Sequence, residues 1–227
     1  MPTPFKRSLR FVLRHEGGFT RNEKDKGNWT GGRVGSGTLK GTNRGISAAS
    51  YPDEDIAGMT EERAAEIYRR DFWEVCRCDE LPEPIAFLTF DMAVNAGPGN
   101  GIRILQRAVG ATADGIIGPQ TIAAANRADP RQAVIRYTVE RLLHYFSLGT
   151  FSTFRRGWLT RSVDAAITAA TLAQSAPSLS PSLAAPTPAE IEDELAGEGE
   201  KEAPPAVPIA IAVVGAAILG ALVLVLR

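Results

Sequence analysis

Phe5-Lys6-Arg7-Ser8-Leu9-Arg10-Phe11-Val12-Leu13-Arg14-His15-Glu16-Gly17-Gly18 is the stretch whose periodicity decides the fold. Phe5, Leu9, Val12 and Leu13 recur at helical spacing, and at about 100° per residue Glu16 falls within roughly 40° of Phe5, Leu9 and Val12. The Glu16 carboxyl is therefore expected on the buried stripe of an amphipathic helix. A glycine pair directly after the last periodic residue is a stop signal, which sets Glu16 near the negative end of the helix dipole. Burial and a neighbouring partial negative charge both disfavour the ionised form of a carboxyl, raising its pKa toward that of a general acid working near neutral pH. Glu16 is thus a candidate proton donor, although periodicity alone also accommodates an exposed terminal glutamate.

The segments that follow narrow the choice. His15-Glu16-Gly17-Gly18-Phe19 leads to Asp25-Lys26-Gly27-Asn28-Trp29-Thr30-Gly31-Gly32, then to Lys40-Gly41-Thr42-Asn43-Arg44-Gly45-Ile46, and later to Phe90-Asp91-Met92-Ala93-Val94-Asn95-Ala96-Gly97. With Asp114-Gly115-Ile116-Ile117-Gly118-Pro119, this series resembles the N-acetylmuramidases of glycoside hydrolase family 108, found in phage endolysins, and the predicted peptidoglycan-binding segment that follows in that family. The resemblance covers about residues 5 to 165. It implies a mainly α, α+β lysozyme-like fold, a peptidoglycan substrate and cell-wall lysis.

The resemblance also distributes roles. Hydrolysis of a glycosidic bond takes an acid for the leaving oxygen and a second carboxylate that activates water or attacks the sugar. The spacing of Glu16 and Asp25 resembles the E-x8-D pair of phage-type lysozymes, in which a hairpin threonine completes the cleft. Carried over, Glu16 is the acid, Asp25 orients or deprotonates the water or stabilises developing positive charge, Thr42 positions the water, and the outcome is inversion. Sixteen residues separate Asp25 from Thr42, so the threonine match depends on a loop excursion. Taken without the resemblance, Lys24-Asp25-Lys26-Gly27 reads as a turn.

Three further residues are candidates for binding substrate. Trp29 stands in a polar, Gly-rich loop and suits either a sugar-stacking surface or an anchor for the loop. Asp91 and Asn95, four apart, share a helix face. The resemblance turns that face toward the cleft, while a simple hydrogen-bonded pair accounts for it equally well. Arg155-Arg156 with Trp158 could meet peptidoglycan acids or form a solvated basic face.

Composition sets the outer bounds. The 227 residues are 44% hydrophobic, ample for a core, and carry 25 basic and 26 acidic side chains. From Pro177 onward stand seven acidic and two basic residues, leaving 23 basic and 19 acidic in residues 1–176, a net of +4. A mildly basic folded part suits an anionic polymer such as the cell wall. Cys76 and Cys78, with one residue between them, are too close for an ordinary disulfide and too few for a zinc site. His15 and His144 show no metal spacing, and the Gly-rich run from Gly27 to Gly45 contains no phosphate-binding motif. No metal, no cofactor and no nucleic-acid partner are expected.

Residues 20–45 contain seven glycines and suit turns and a small hairpin. Thr60 caps a helix carrying Ala64, Ile67, Tyr68, Asp71 and Phe72 on one face, and Pro84 opens another that ends at Gly97-Pro98. A short helix holds Ile104 and Leu105, Asp129-Pro130 opens one with Val134, Tyr137, Arg141, Leu142 and Tyr145, and a last amphipathic segment carries Phe154, Trp158, Leu159 and Val163. The expected organisation is a muramidase domain over 1–97, a helical peptidoglycan-binding segment over 98–174, a disordered Pro/Ala/Ser/acidic linker over 175–207 and a transmembrane helix over 208–227. Pro208 to Leu226 is uncharged and, at about 1.5 Å per residue, nearly spans a hydrocarbon core of about 30 Å.

No signal-peptide run precedes Lys6, Arg7 and Arg10. The expected placement is a single-pass inner-membrane protein with the enzyme facing the wall, or a tail-anchored one facing the cytoplasm until lysis. Two rival functions stay open: a lytic transglycosylase, which needs only one acidic residue, and an inactive muramidase-like scaffold that binds cell wall. Oligomeric state is not readable from the sequence.

Overall fold

The computed structural model describes residues 2–175. Among the described residues seven α-helices follow in order: α1 (Pro4–His15), α2 (Glu61–Tyr68), α3 (Glu83–Ala96), α4 (Pro98–Ala108), α5 (Pro119–Arg127), α6 (Pro130–Phe146) and α7 (Phe151–Ser175). One antiparallel hairpin, β1 (Thr42–Asn43) and β2 (Ile46–Ser47), pairs Thr42 with Ser47 and Asn43 with Ile46. This mostly helical architecture with one small sheet fits a helical lysozyme-like fold.

Short polar signals place the starts of α1, α2 and α6. Thr3 accepts a hydrogen bond from the Lys6 amide and Pro4 takes the first position of α1. Thr60 caps α2 by accepting from the Arg63 amide, and Asp129 caps α6 through the Gln132 amide. At the other end of α1 the exit differs from the expected glycine stop. Neither Gly17 nor Gly18 has a positive φ, and Glu16 itself turns extended (φ −91°, ψ 143°) while its amide still donates to the Val12 carbonyl. The side chain that carries the chemistry is thus the residue at which the helix ends.

At the centre lies α3. Every residue from Pro84 to Ala93 is buried, which follows from a sequence apolar on all sides apart from Thr89 and Asp91. Around it pack α1, α4 and α6. An aromatic cluster fills one side: Trp73 and Phe90 meet edge to face at 5.4 Å, and Phe5 lies 5.4 Å from Trp73 and 5.9 Å from Phe90. Trp73 belongs to a π-helical turn, Arg69–Glu74, that continues α2 and turns the indole inward, where its N–H reaches Asp79. Gly101 lets α4 approach α3 closely, since a Cβ there would stand 3.0 Å from the Thr89 carbonyl oxygen. The core runs without interruption from residues before position 97 to residues after it, and the chain from Met1 to Ala173 forms one compact unit.

The buried carboxylate of α3 ties three helices together. Asp91 of α3 has no exposed surface; its Oδ2 accepts from Arg141 of α6 at 2.6 Å and its Oδ1 from Nε of Arg161 of α7 at 2.9 Å. Burial is the largest single influence on both guanidinium groups and lowers their pKa values, but the facing groups together, Asp91 foremost with Tyr145 beside Arg141 and Glu16 beside Arg161, outweigh it and both stay raised. Elsewhere α7 is lined with buried Ala165, Ala166, Ala169 and Ala170, so its backbone sits close to the core.

The expected single-pass membrane placement is corrected: among the described residues no helix is long and apolar enough to cross a membrane. The longest, α7, has 25 residues but carries Arg155, Arg156, Arg161 and Asp164. The transmembrane run expected over 208–227 lies outside the described residues, as does the linker expected over 175–207 apart from Ser175, which ends α7. Cys76 and Cys78 are free and buried.

Removing the shared anion leaves two arginines buried without their counter-charge. Asp91→Ala is expected to cost about 3–5 kcal/mol of folding stability, measured as a shift of the urea unfolding midpoint at unchanged slope. A change below about 1 kcal/mol would show that the triad contributes no more than an exposed ion pair.

Candidate active site

Glu16 stands where α1, the hairpin and α7 meet. Its side chain is 21% exposed. Its Oε1 accepts from Nη1 of Arg161 at 2.8 Å. Its other oxygen faces the hairpin turn: a Cβ at Gly45 would stand 2.8 Å from Oε2 and 2.5 Å from the Tyr68 hydroxyl. Only glycine fits there, and the turn also demands it. Arg44 and Gly45 have φ of 51° and 78°, the left-handed pair that a two-residue hairpin loop takes. Tyr68 donates its hydroxyl to the Arg44 carbonyl at 2.8 Å, pinning this turn, and burial together with the nearby Glu16 pushes its pKa up.

Arg161 joins Glu16 to the buried Asp91. One guanidinium donates to both carboxyl groups, so the position of Glu16 is fixed from behind by α3 and α7. Asp91 does not face a cleft; it is sealed between Arg141 and Arg161. Asn95, one turn further along α3, is half-buried at a groove, and its Oδ1 accepts from the Tyr145 hydroxyl at 2.5 Å. The two residues share a helix face as their spacing requires, yet one supports the site and the other borders it.

Asp25 and Thr42 are brought together by a residue that the sequence did not single out. Asn28 is wholly buried; its Nδ2 donates to Asp25 Oδ2 at 2.9 Å and to Thr42 Oγ1 at 3.2 Å. Its carbonyl accepts from the Lys40 and Gly41 amides, and its Oδ1 from the Asn22 amide. Asp25 itself is exposed, and its Oδ1 accepts from the Gly27 amide at 2.9 Å, an Asx turn. The turn reading and the pairing with Thr42 therefore hold together. The sixteen intervening residues make the required excursion: Trp29 bridges Leu39, the Thr30 amide donates to the Thr38 carbonyl, and the chain returns beside Asn28.

Thr42 also exchanges two backbone hydrogen bonds of 2.8 Å with Thr20. The segment just past Glu16 is thereby fastened to the hairpin that carries Thr42 at its base and Gly45 at its tip. Trp29 donates its indole N–H to the Glu23 carbonyl at 2.8 Å and so fastens the loop mouth. Among the described residues no group of three or more His, Cys, Asp or Glu side chains could hold a metal ion.

Arg161, Tyr68 and Asn28 complete the site without having been legible as candidates. One signal existed for the first: Arg161 lies three residues after Trp158 and four before Ala165, an arginine on an otherwise apolar helical stripe. A groove of about 560 Å³ runs beside it along α7, bordered by His15, Asn95, Phe154, Arg156, Trp158 and Arg161 among others.

Residues 9–97 match the family model for glycosyl hydrolase 108, and residues 100–163 match that of a predicted peptidoglycan domain. The solved structure of SagA from Brucella abortus is similar to this chain at 29% identity with a TM-score of 0.63, over 75% of this chain and 95% of that one. No match was found among curated proteins. A glycosyl hydrolase 108 match that contains Glu16 and the hairpin, followed by a match to a peptidoglycan domain that supplies Arg161, indicates that the chain is a peptidoglycan hydrolase of the glycosidase class.

Proposed function

We propose that the protein is an N-acetylmuramidase that cleaves the glycosidic bond between N-acetylmuramic acid and N-acetylglucosamine, with Glu16 as general acid, in an endolysin-like lytic role. The observation that supports it is the setting of Glu16: one oxygen is held by Arg161, the other lies at the hairpin turn, and a groove adjoins. With Oε1 bonded to Arg161, proton donation to the leaving oxygen falls to Oε2. A fixed donor within hydrogen-bond reach of the bridging oxygen is what acid catalysis of this cleavage needs.

In the same reading Asp25 and Thr42 hold the attacking water. Asp25 accepts from Gly27 and Asn28, and those bonds orient its carboxylate. Thr42 Oγ1 accepts from Asn28, which leaves its hydroxyl proton to donate to water. Water delivered from the face opposite the acid gives inversion. Trp29 steadies this wall of the cleft, Asn95 lies at the sugar-binding edge, and Asp91 serves as a positioning residue acting through Arg161.

Two outcomes test the assignment. Glu16→Gln is expected to lower the release of soluble fragments from purified sacculi by about 10²-fold or more, and the wild-type products are expected to carry reducing ends. Retained lysis by the variant removes Glu16 as the acid, and 1,6-anhydro ends replace hydrolysis with transglycosylation. Gly45→Ala, which pushes a methyl against Glu16 Oε2, is expected to cut the rate by about 10²-fold through misplacement of the acid, with the far-UV circular dichroism unchanged. A wild-type rate in that variant would show that the hairpin turn does not set the position of Glu16.

A further inference from the structure

The groove along α7 has features that acid catalysis at Glu16 does not use. Its volume, about 560 Å³, falls in the range that takes a small ligand or one unit of a polymer. Phe154 borders the groove and is 53% exposed, so its ring is available to a ligand there. It lies 5.4 Å from Trp158, which in turn stacks on Tyr145 at 4.7 Å with the planes 14° apart. Tyr145 is itself fixed by its hydrogen bond to Asn95, so the platform is rigid.

The charge of the groove points one way. The side chains that border it include Arg156, Arg161 and His15 and no carboxylate. Arg161 is committed to Glu16 and Asp91, and His15 to Asp164 at 2.8 Å. Arg156 is exposed and, among the described residues, has no ion-pair partner. An aromatic platform takes the apolar face of a sugar ring, and a guanidinium takes a carboxylate in a bidentate bond. Arg161 both borders the groove and bonds Glu16, so one side chain links the groove to the acid.

We propose that this groove is the subsite for a peptide-bearing sugar of the glycan strand, with the ring on Phe154 and Trp158 and a stem-peptide carboxylate on Arg156. The assignment rests on the hydrolase reading above and adds to it what holds the substrate in place. It makes α7 a recognition element for the peptide-substituted sugar, in addition to its support of Glu16.

The test measures binding without turnover. In the full chain carrying Glu16→Gln, sedimentation with intact sacculi is compared with sedimentation with sacculi stripped of stem peptides by an amidase. Arg156→Glu is expected to weaken binding to intact sacculi by about fivefold or more, and to affect stripped sacculi distinctly less. Phe154→Ala is expected to weaken both. Both side chains are exposed, so thermal unfolding of the variants serves as a check that the fold is kept. Equal losses with Arg156→Glu on the two substrates overturn the peptide contact, and unchanged binding in both variants overturns the subsite. Failure of the wild-type chain to cleave either substrate counts against the hydrolase reading and leaves the groove to be decided by the binding data.

Discussion

A single buried carboxylate, Asp91, holds two arginines in a core that otherwise has little to offer a charge. Taking three charged groups out of water is costly, and the cost is recovered only when each ion meets its partner at close range. Arg141 and Arg161 do so at 2.6 and 2.9 Å, from α6 and α7 respectively. The second arginine has a further partner, because its Nη1 continues outward to Glu16. A chain of hydrogen bonds thus runs from the centre of the protein to the carboxyl at the end of α1, and α3, α6 and α7 must all be docked for Glu16 to be held.

The opposite side of the site obeys a different constraint. There the backbone is irregular, and its polar groups have to be satisfied without long helices or strands. Asn28 supplies much of that satisfaction, bonding six groups on five residues between Asn22 and Thr42. The excursion from Trp29 to Leu39 closes on itself, so its length does not displace Thr42 from Asp25. The hairpin that results is short, yet it reaches Glu16 at Gly45 because the chain adopts a left-handed turn that brings a residue without a side chain against the carboxyl.

Local patterns in the sequence revealed the elements better than the interactions between them. The 3.6-residue periodicity of Phe5, Leu9 and Val12 located α1, and Thr60 and Asp129 marked helix starts where caps are observed. That periodicity put Glu16 on the buried side but could not name its partner, which lies 145 residues later. Nor could spacing tell that Asp91 is sealed while Asn95, one turn on, is half-buried at the groove, since both occupy one face. The π-helical turn at Arg69–Glu74 and α5 carried no strong local signal: the former continues α2 without a break, and α5 is a nine-residue helix rich in small side chains. The 98–174 stretch, read from sequence as a separate segment, shares its core with residues before 97 and contributes Arg161 to the site.

The dependence of Glu16 on Arg161 is most directly tested by a double-mutant comparison of lytic rates on purified sacculi, using wild type, Glu16→Gln, Arg161→Gln and the double variant. If Arg161 acts through Glu16, Arg161→Gln loses most of the rate and the double variant is no slower than Glu16→Gln alone. A wild-type rate for Arg161→Gln, or losses that multiply in the double variant, would contradict the account.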